Sequence, residues 1–143
     1  MARYWLCPRG TEEKPLPANW FELDSWRREH TMGYGTGIQG TPGIKTGDQI
    51  VWYAVGRRVL FGLAEVTADP EQRQVREWQG DRWPWYIATR THLCVRDLTE
   101  GPTLNDAGLD WSEPVRSYRK LTEAEFEACS RLLKRFGEPF DEP

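Results

Sequence analysis

The chain has 143 residues, of which 38% are apolar and 29% charged, which is typical of one globular domain with its own core. No apolar run approaches the roughly 20 residues that span a bilayer, and the N-terminus turns polar too early for a signal peptide, so we expect a cytoplasmic protein without a membrane partner. The net charge of −3 argues against avid, unspecific nucleic-acid binding, while leaving room for a local basic patch.

The cysteine and aromatic content narrows the class further. Cys7, Cys94 and Cys129 lie far apart and form no Cys-x-x-Cys pair, which predicts three buried free thiols and neither a disulfide framework nor a metal site. Eight tryptophans raise the aromatic share to 13%, more than a core of this size requires. Part of this surplus is expected to line a pocket for a planar ligand; the alternative is a Trp-rich core.

In chain order, the first elements are a strand and a short helix. Arg3–Cys7 alternates and predicts a strand that ends at Pro8, because proline cannot donate to a ladder. Asn19–Glu22 fits a capping box and predicts a helix through Glu29. Met32–Gly43 then holds five glycines, which predicts a close approach of backbone to a strand or a ligand. It lacks the strand before it and the helix after it that a dinucleotide-binding loop needs.

The centre of the chain predicts a β-hairpin. Ile44–Val55 begins with a Gly-Asp turn and continues as a β-branched and aromatic strand, and Val59–Val66 follows after a turn at Gly56. Both faces of these strands are apolar, which indicates central strands that are covered on two sides. Gly62, inside the second strand, predicts a bulge or a close backbone approach.

The second half alternates between irregular segments and regular ones. A polar excursion over Ala68–Arg82 leads to a strand from Trp85 to Arg96, with Thr91, Leu93 and Val95 on one face. A short strand over Arg116–Leu121 follows.

The last element is a predicted helix over Leu121–Phe136, capped by Thr122 with Glu125 completing the capping box. The residues at helical spacing predict a buried stripe made of Phe126, Cys129, Leu132, Leu133 and Phe136. Gly137 is expected to end the helix, and residues 1–2 and 138–143 are expected to fray.

The signal for catalysis is weak. The two histidines, His30 and His92, stand in different elements, and no serine lies in a nucleophile elbow. The acidic residues cluster in loops and on the last helix, as on a solvated face. We therefore assign no catalytic residue, metal ligand or cofactor. The binding signal is stronger, because aromatic residues near strand ends accompany a glycine-rich segment that contains Gln39. A flipped base needs such planar walls together with amide-like donors and acceptors.

Several segments together resemble the EVE domain. These are Tyr4–Cys7, Asn19–Trp20, Ile44–Tyr53, Gly62–Val66 and Arg119–Phe126. The family belongs to the PUA-like superfamily, so the resemblance implies a single α+β domain over residues 1–143, built as a strongly bent mixed β-barrel with flanking helices. In two places the chain departs from the family: Cys7–Gly10 stands where many members have Lys-Ser-Glu-Pro, and Tyr34–Gln39 where they have a Trp-Gly-Val-Arg-like segment.

The resemblance implies a module that binds modified DNA or RNA and takes a modified base, such as a modified cytosine, into an aromatic pocket. A small molecule is a further expected occupant of that pocket, and a monomer is the expected state. The candidate site residues are Trp5, Arg9, Tyr34, Gly37, Ile38, Gln39, Tyr53, Trp83, Trp85 and Arg119. Trp5, Tyr34 and Trp83 are expected to form stacking walls, and Tyr53 a further wall or a polar tip. Gln39 with the backbone near Gly37 is expected to read the base edge, and Arg9 and Arg119 to neutralise phosphate.

Two alternatives stay open at this stage. One is a small amidohydrolase acting on a modified nucleoside, which requires a poised group such as Lys45 or Glu65. The other is a structural adaptor without a ligand.

Overall fold

The computed structural model describes residues 3–9, 15–18, 31–34, 43–69, 71–72, 85–109 and 118–139, with the backbone alone for 31–34, 71–72 and 85–87. Within these ranges the chain forms a mixed sheet and an α-helix, so the α+β prediction is confirmed. The elements are β1 (Tyr4–Arg9), β2 (Thr31–Tyr34), β3 (Gln49–Ala54), β4 (Val59–Val66), β5 (Glu71–Gln72), β6 (Trp85–Cys94), a 3₁₀ turn (Leu98–Glu100), β7 (Arg119–Leu121), α1 (Glu123–Phe136) and β8 (Glu138–Pro139). The predicted helix over 19–29 lies outside the described residues.

The sheet follows the strand order β2-β6-β4-β3-β1-β7, and β5 and β8 also pair with β6. β1 runs parallel to β3, and the other pairs are antiparallel. In the described part of the chain, β2 and β7 form the two ends of this path and do not pair with each other. The described residues therefore form an α+β fold whose sheet is not closed into a barrel.

The first strand continues through Pro8, so the prediction that Pro8 ends it is wrong. The Arg3 carbonyl accepts a hydrogen bond from Gln49 N at 2.9 Å, and the Arg9 carbonyl accepts one from Val55 N, directly after β3, at 2.9 Å. Both carbonyls therefore point to the β3 side. Because hydrogen-bonding groups alternate in direction along a strand, the nitrogen of Pro8 points to the β7 side. Pairing with β7 has already ended at Leu6, so the missing N–H leaves no gap in the ladder.

The predicted hairpin is present as β3 and β4, joined by a turn in which Gly56 has φ 87° and Arg58 has φ 59°. The predicted irregularity at Gly62 is also present. Trp52 pairs with Gly62 while the next residue, Tyr53, pairs with Leu60, so Phe61 is the extra residue of a bulge. A Cβ atom at Gly62 would lie 2.9 Å from Trp52 Cδ1, which explains why glycine stands there.

The strand predicted from Trp85 is present as β6, but its strict alternation is not. Ala64 pairs with Thr91 and Leu63 with Leu93, so His92 is the extra residue of a second bulge. Thr91 and Leu93 consequently point to opposite faces, whereas the sequence pattern placed them on one. A strand that the sequence pattern did not predict, β2, covers the start of the glycine-rich segment and pairs with β6.

The predicted final helix is present as α1, together with its predicted cap. Thr122 Oγ1 accepts from Glu125 N at 3.1 Å and Glu125 Oε1 accepts from Thr122 N at 2.8 Å, a complete capping box. Cys129 and Leu133 are buried as expected, but Phe136 is 47% exposed and lies outside the buried stripe. Gly137 ends the helix, and Glu138–Pro139 then pair with β6 instead of fraying. No helix in the described ranges is long and apolar enough to cross a membrane.

The register defines two faces of the sheet. We call the helix face the one that carries Tyr4, Leu6, Val51, Tyr53 and Leu63. Here Tyr4 stacks on Phe126 of α1 with ring centroids 4.5 Å apart. We call the indole face the opposite one, which carries Trp5, Cys7, Arg9, Ile50 and Trp52. Each candidate site residue in these strands therefore belongs to one of the two faces.

Candidate functional site

Trp5 is held in place by a buried carboxylate. Its indole Nε1 donates to Asp48 Oδ2 at 2.9 Å, and Asp48 is only 2% exposed. The same carboxylate accepts from Arg3 N at 3.0 Å and from Lys45 N at 2.9 Å, and Arg3 Nε lies 3.9 Å away. A buried charge with this many donors is well compensated, and it fixes the rotation of the indole ring. The sequence pattern indicates only a turn at Asp48 and does not predict this role.

The surroundings of the Trp5 ring are polar and aromatic. The Arg3 guanidinium lies 5.7 Å from its centroid, within cation–π range, and Tyr118 meets it edge-on at 5.3 Å. A Cβ at Gly43 would lie 3.3 Å from Trp5 Cη2, and Arg3 Nη2 donates to the Gly43 carbonyl at 2.6 Å. The last glycine of the glycine-rich segment is thus anchored against Trp5, which is 7% exposed.

A second fixed indole lies on the same face. Trp52 Nε1 donates to Thr91 Oγ1 at 3.1 Å, and both residues are buried. The guanidinium carbon of Arg9 lies 5.8 Å from the centroid of the Trp52 ring. The indole face therefore carries two oriented tryptophans, each with an arginine over it, and the predicted residues Trp5 and Arg9 share this face. Trp52 was not among the predicted site residues.

Two further predicted residues meet at the other end of the sheet path. Tyr34, the last residue of β2, is the direct register partner of Trp85, the first residue of β6. The structure thus brings these two positions together from distant parts of the chain. Gly37, Ile38, Gln39 and Trp83 lie outside the described residues.

Tyr53 and Arg119 stand apart from the indole face. Tyr53 pairs with Pro8 and is 6% exposed, and Arg119 pairs with Leu6, so the register assigns both to the helix face. The neighbour of Arg119, Lys120, pairs with Trp5 and points to the indole face. The structure therefore does not bring Tyr53 and Arg119 together with Trp5 and Arg9.

The groups named for the amidohydrolase alternative lie at the surface. Lys45 and Glu65 are both exposed, and Glu65 belongs to the helix face because it pairs with Gln49. On the same side, desolvation lowers the pKa of His92, while the Glu65 carboxylate opposes this shift. In the described ranges no three residues among His, Cys, Asp and Glu come together as a metal site.

The chain matches no family model and no curated protein. Its fold is similar to that of solved structures. Protein Atu2648 from Agrobacterium tumefaciens is 19% identical with a TM-score of 0.58, and the match covers 91% of this chain and 92% of that one. Rpa0253 from Rhodopseudomonas palustris is 13% identical with a TM-score of 0.58 and 94% of each chain covered. A hypothetical protein from Leishmania major is 15% identical with a TM-score of 0.54, covering 94% of this chain and 96% of that one. At these identities the likeness concerns the fold alone.

The three thiols are expected to be inert in the folded protein. Cys7, Cys94 and Cys129 are buried and form no disulfide, as predicted, and burial raises the pKa of Cys129 to about 12. Because the thiolate is the reactive form, a thiol-specific chromogenic reagent at mildly alkaline pH should label none of them within minutes. The same reagent in concentrated denaturant should label all three. Rapid labelling of one cysteine under native conditions contradicts this burial.

Proposed function

We propose that this chain is an EVE-type, PUA-like domain that binds a modified nucleobase, such as a modified cytosine in DNA or a modified base in RNA, after the base has left its stack. In this proposal the mixed sheet is part of a strongly bent barrel, and the base enters beside the indole face. The strand order supports the proposal, because the hairpin β3–β4 is flanked by β1, which runs parallel to β3.

The observation that carries the proposal is the pairing of Tyr34 with Trp85. Gly37, Ile38 and Gln39 follow Tyr34 within five residues, and Trp83 precedes Trp85 by two. One cross-strand pair therefore brings two of the proposed residues together, and four more are close to this pair in sequence. This set of aromatic residues, a glycine and an amide has the composition that stacking on a base and reading its edge require.

The anchoring of the glycine-rich segment gives further support. The rest of the segment follows Tyr34 and ends at Gly43, whose carbonyl accepts from Arg3 and where a Cβ atom would contact the Trp5 ring. Both ends of the segment are thus tied to proposed aromatic residues. Since the indole of Trp5 is itself fixed by Asp48, the site is pre-organised at that end, which lowers the entropic cost of binding.

The decisive experiment measures binding to short oligonucleotides that differ only in one base. Fluorescence anisotropy with a panel carrying modified cytosines or modified adenines, against the unmodified strand, tests for a preference. The proposal expects tighter binding to one modified strand. Equal affinity for every member, or no binding, contradicts it. Turnover of acylated or alkylated nucleosides by the protein contradicts it in favour of the amidohydrolase alternative.

Gln39 is the residue proposed to read the base edge. We expect Gln39→Ala to weaken binding of the preferred base by about 1–3 kcal/mol, the range for a good bidentate base contact. Affinity for the unmodified strand should change less. Gln49→Ala is the matched control, because Gln49 lies in β3 on the helix face. If Gln39→Ala leaves both affinities unchanged, Gln39 is not the reader.

A further inference from the structure

The outer side of α1 carries an apolar ridge. Residues four positions apart form continuous ridges along a helix, and neighbouring helices pack along such ridges. The apolar ridge consists of Ala124, Ala128, Leu132 and Phe136, all of them exposed or half-buried. The core contacts of α1 run through Cys129 and Leu133 on the next ridge, and the four residues of the apolar ridge lie outside the core cluster. The core of its own chain therefore does not use the apolar ridge.

A charged ridge runs directly beside the apolar one, and its charge reverses along the helix. Its members are Glu123, Glu127, Arg131 and Arg135, and all four are exposed. Within the part of the chain that the structure describes, none of these four side chains forms an ion pair. The helix dipole favours acidic residues in the first turn and basic ones in the last, so the charges alone do not indicate a partner. Their position beside an uncovered apolar ridge does.

The two ridges fit a second copy of the same helix that runs in the opposite direction. The apolar ridge is centred at the level of Ser130 and the charged ridge at the level of Cys129, one residue or about 1.5 Å apart along the helix. One two-fold axis near this level therefore serves both ridges. It places Glu123 opposite Arg135 of the second copy, and the acidic half of each charged ridge opposite a basic half. A parallel pair would instead bring like charges to the same level.

We propose that the outer side of α1 is a self-association surface, at which two copies of this chain pair through antiparallel α1 helices. A helix of 14 residues is about 21 Å long, so one helix pair buries less area than the roughly 800 Å² per partner of a standard interface. The dimer is therefore weak and forms only as the protein concentration rises, which leaves a monomer in dilute solution. This inference does not depend on the proposed function, because α1 covers the helix face, on the opposite side of the sheet from the indole face.

The test uses Glu123→Arg, Arg135→Glu and the double variant that carries both changes. Analytical ultracentrifugation from low micromolar to nearly millimolar concentration measures the dissociation constant of the dimer. In the antiparallel pair each single variant meets a like charge twice, so we expect the dissociation constant to rise about five- to tenfold. The double variant restores opposite charges at both positions and should return to within about threefold of the wild type. Lys45→Glu makes the same kind of charge change at an exposed position before β3 and should have no effect.

Phe136→Ser tests the apolar ridge without changing a charge. Because Phe136 is half-exposed, the variant is expected to fold, while the dimer loses its largest apolar contact and weakens about tenfold. Urea unfolding verifies that each variant is folded. Through the helix dipole the double variant loses the most helix stability, so a regained dimer cannot reflect better folding.

Each further outcome decides the matter. A wild type that stays monomeric at every concentration overturns the proposal. A dimer that none of the α1 variants weakens has its contact elsewhere, which also overturns it. A dimer that both single variants weaken and the double variant does not restore overturns the antiparallel arrangement. Recovery in the double variant, together with a loss in Phe136→Ser, supports the proposed pairing of the two ridges.

Discussion

Asp48→Ala is expected to lower the free energy of unfolding by about 3–5 kcal/mol, because it removes the shared acceptor of three N–H groups at a buried position. Trp5 Nε1, Arg3 N and Lys45 N all lose their partner, and the Arg3 guanidinium loses its compensating charge. Asp48→Asn should retain part of the stability, since its single carbonyl oxygen can replace only one of two acceptors. Urea denaturation at neutral pH measures both.

A control with the same chemistry lies in the same region. Asp69 Oδ1 accepts from Thr46 N and Thr46 Oγ1, but this cap is exposed, so Asp69→Asn should cost clearly less than Asp48→Asn. Trp5→Phe removes one of the Asp48 donors. The double variant Asp48→Ala/Trp5→Phe should therefore be more stable than the sum of the two single losses implies. Additive losses contradict a coupling between the carboxylate and the indole.

Gly62→Val is expected to destabilise the protein by about 3 kcal/mol, at the upper end of the usual range for overpacking a core. The first carbon added at Gly62 already meets Trp52 Cδ1 at 2.9 Å and the Leu93 carbonyl at 3.1 Å. Neither neighbour can move freely, because the Trp52 ring is hydrogen-bonded to Thr91 and the Leu93 carbonyl belongs to the adjacent strand β6. Thermal or urea unfolding measures the loss, and Gly62→Ala should lie between Val and the wild type.

A second glycine separates crowding from backbone strain. Gly47 has φ 89°, and a Cβ atom added there would meet no described atom within 4 Å, so Gly47→Ala tests the left-handed backbone without a clash. Gly47→Ala should therefore lower the free energy of unfolding by about 1–2 kcal/mol. A negligible loss for Gly62→Ala would indicate that steric crowding is not what requires glycine at position 62.

Local patterns predicted the elements whose formation depends on neighbouring residues. The helix α1 and its cap follow from Thr122, Glu125 and an apolar stripe, and the hairpin follows from Gly56 between two β-branched runs. Gly62 indicated the bulge at Phe61, but no local pattern indicated the bulge at His92. That bulge arises from the fit between strands, and its one extra residue reverses the direction of every later side chain in the strand.

The residue types of the candidate site allow only part of it to be predicted from the sequence. Trp5 and Arg9 share one face because they are four residues apart in one strand, which the sequence pattern did not predict because it ended that strand at Pro8. Tyr53 and Arg119 belong to the other face, which depends on how β3 and β7 align with β1. Asp48 gave no signal, since its donors Arg3 and Trp5 come from a segment far away in the chain. Register and long-range hydrogen bonds carry this information, and periodicity does not.

The position of β1 between β3 and β7 has a consequence for the order of folding. β1 is made by the first residues of the chain, yet its two neighbours end at Ala54 and Leu121. The hairpin β3–β4 needs only a short loop to close, whereas both partners of β1 demand long ones, and loop closure of that kind slows folding. During synthesis, β1 can pair with β3 once Ala54 has left the ribosome, but its other edge stays unpaired until Leu121 has followed. β1 is therefore enclosed on both sides later than the hairpin β3–β4 forms.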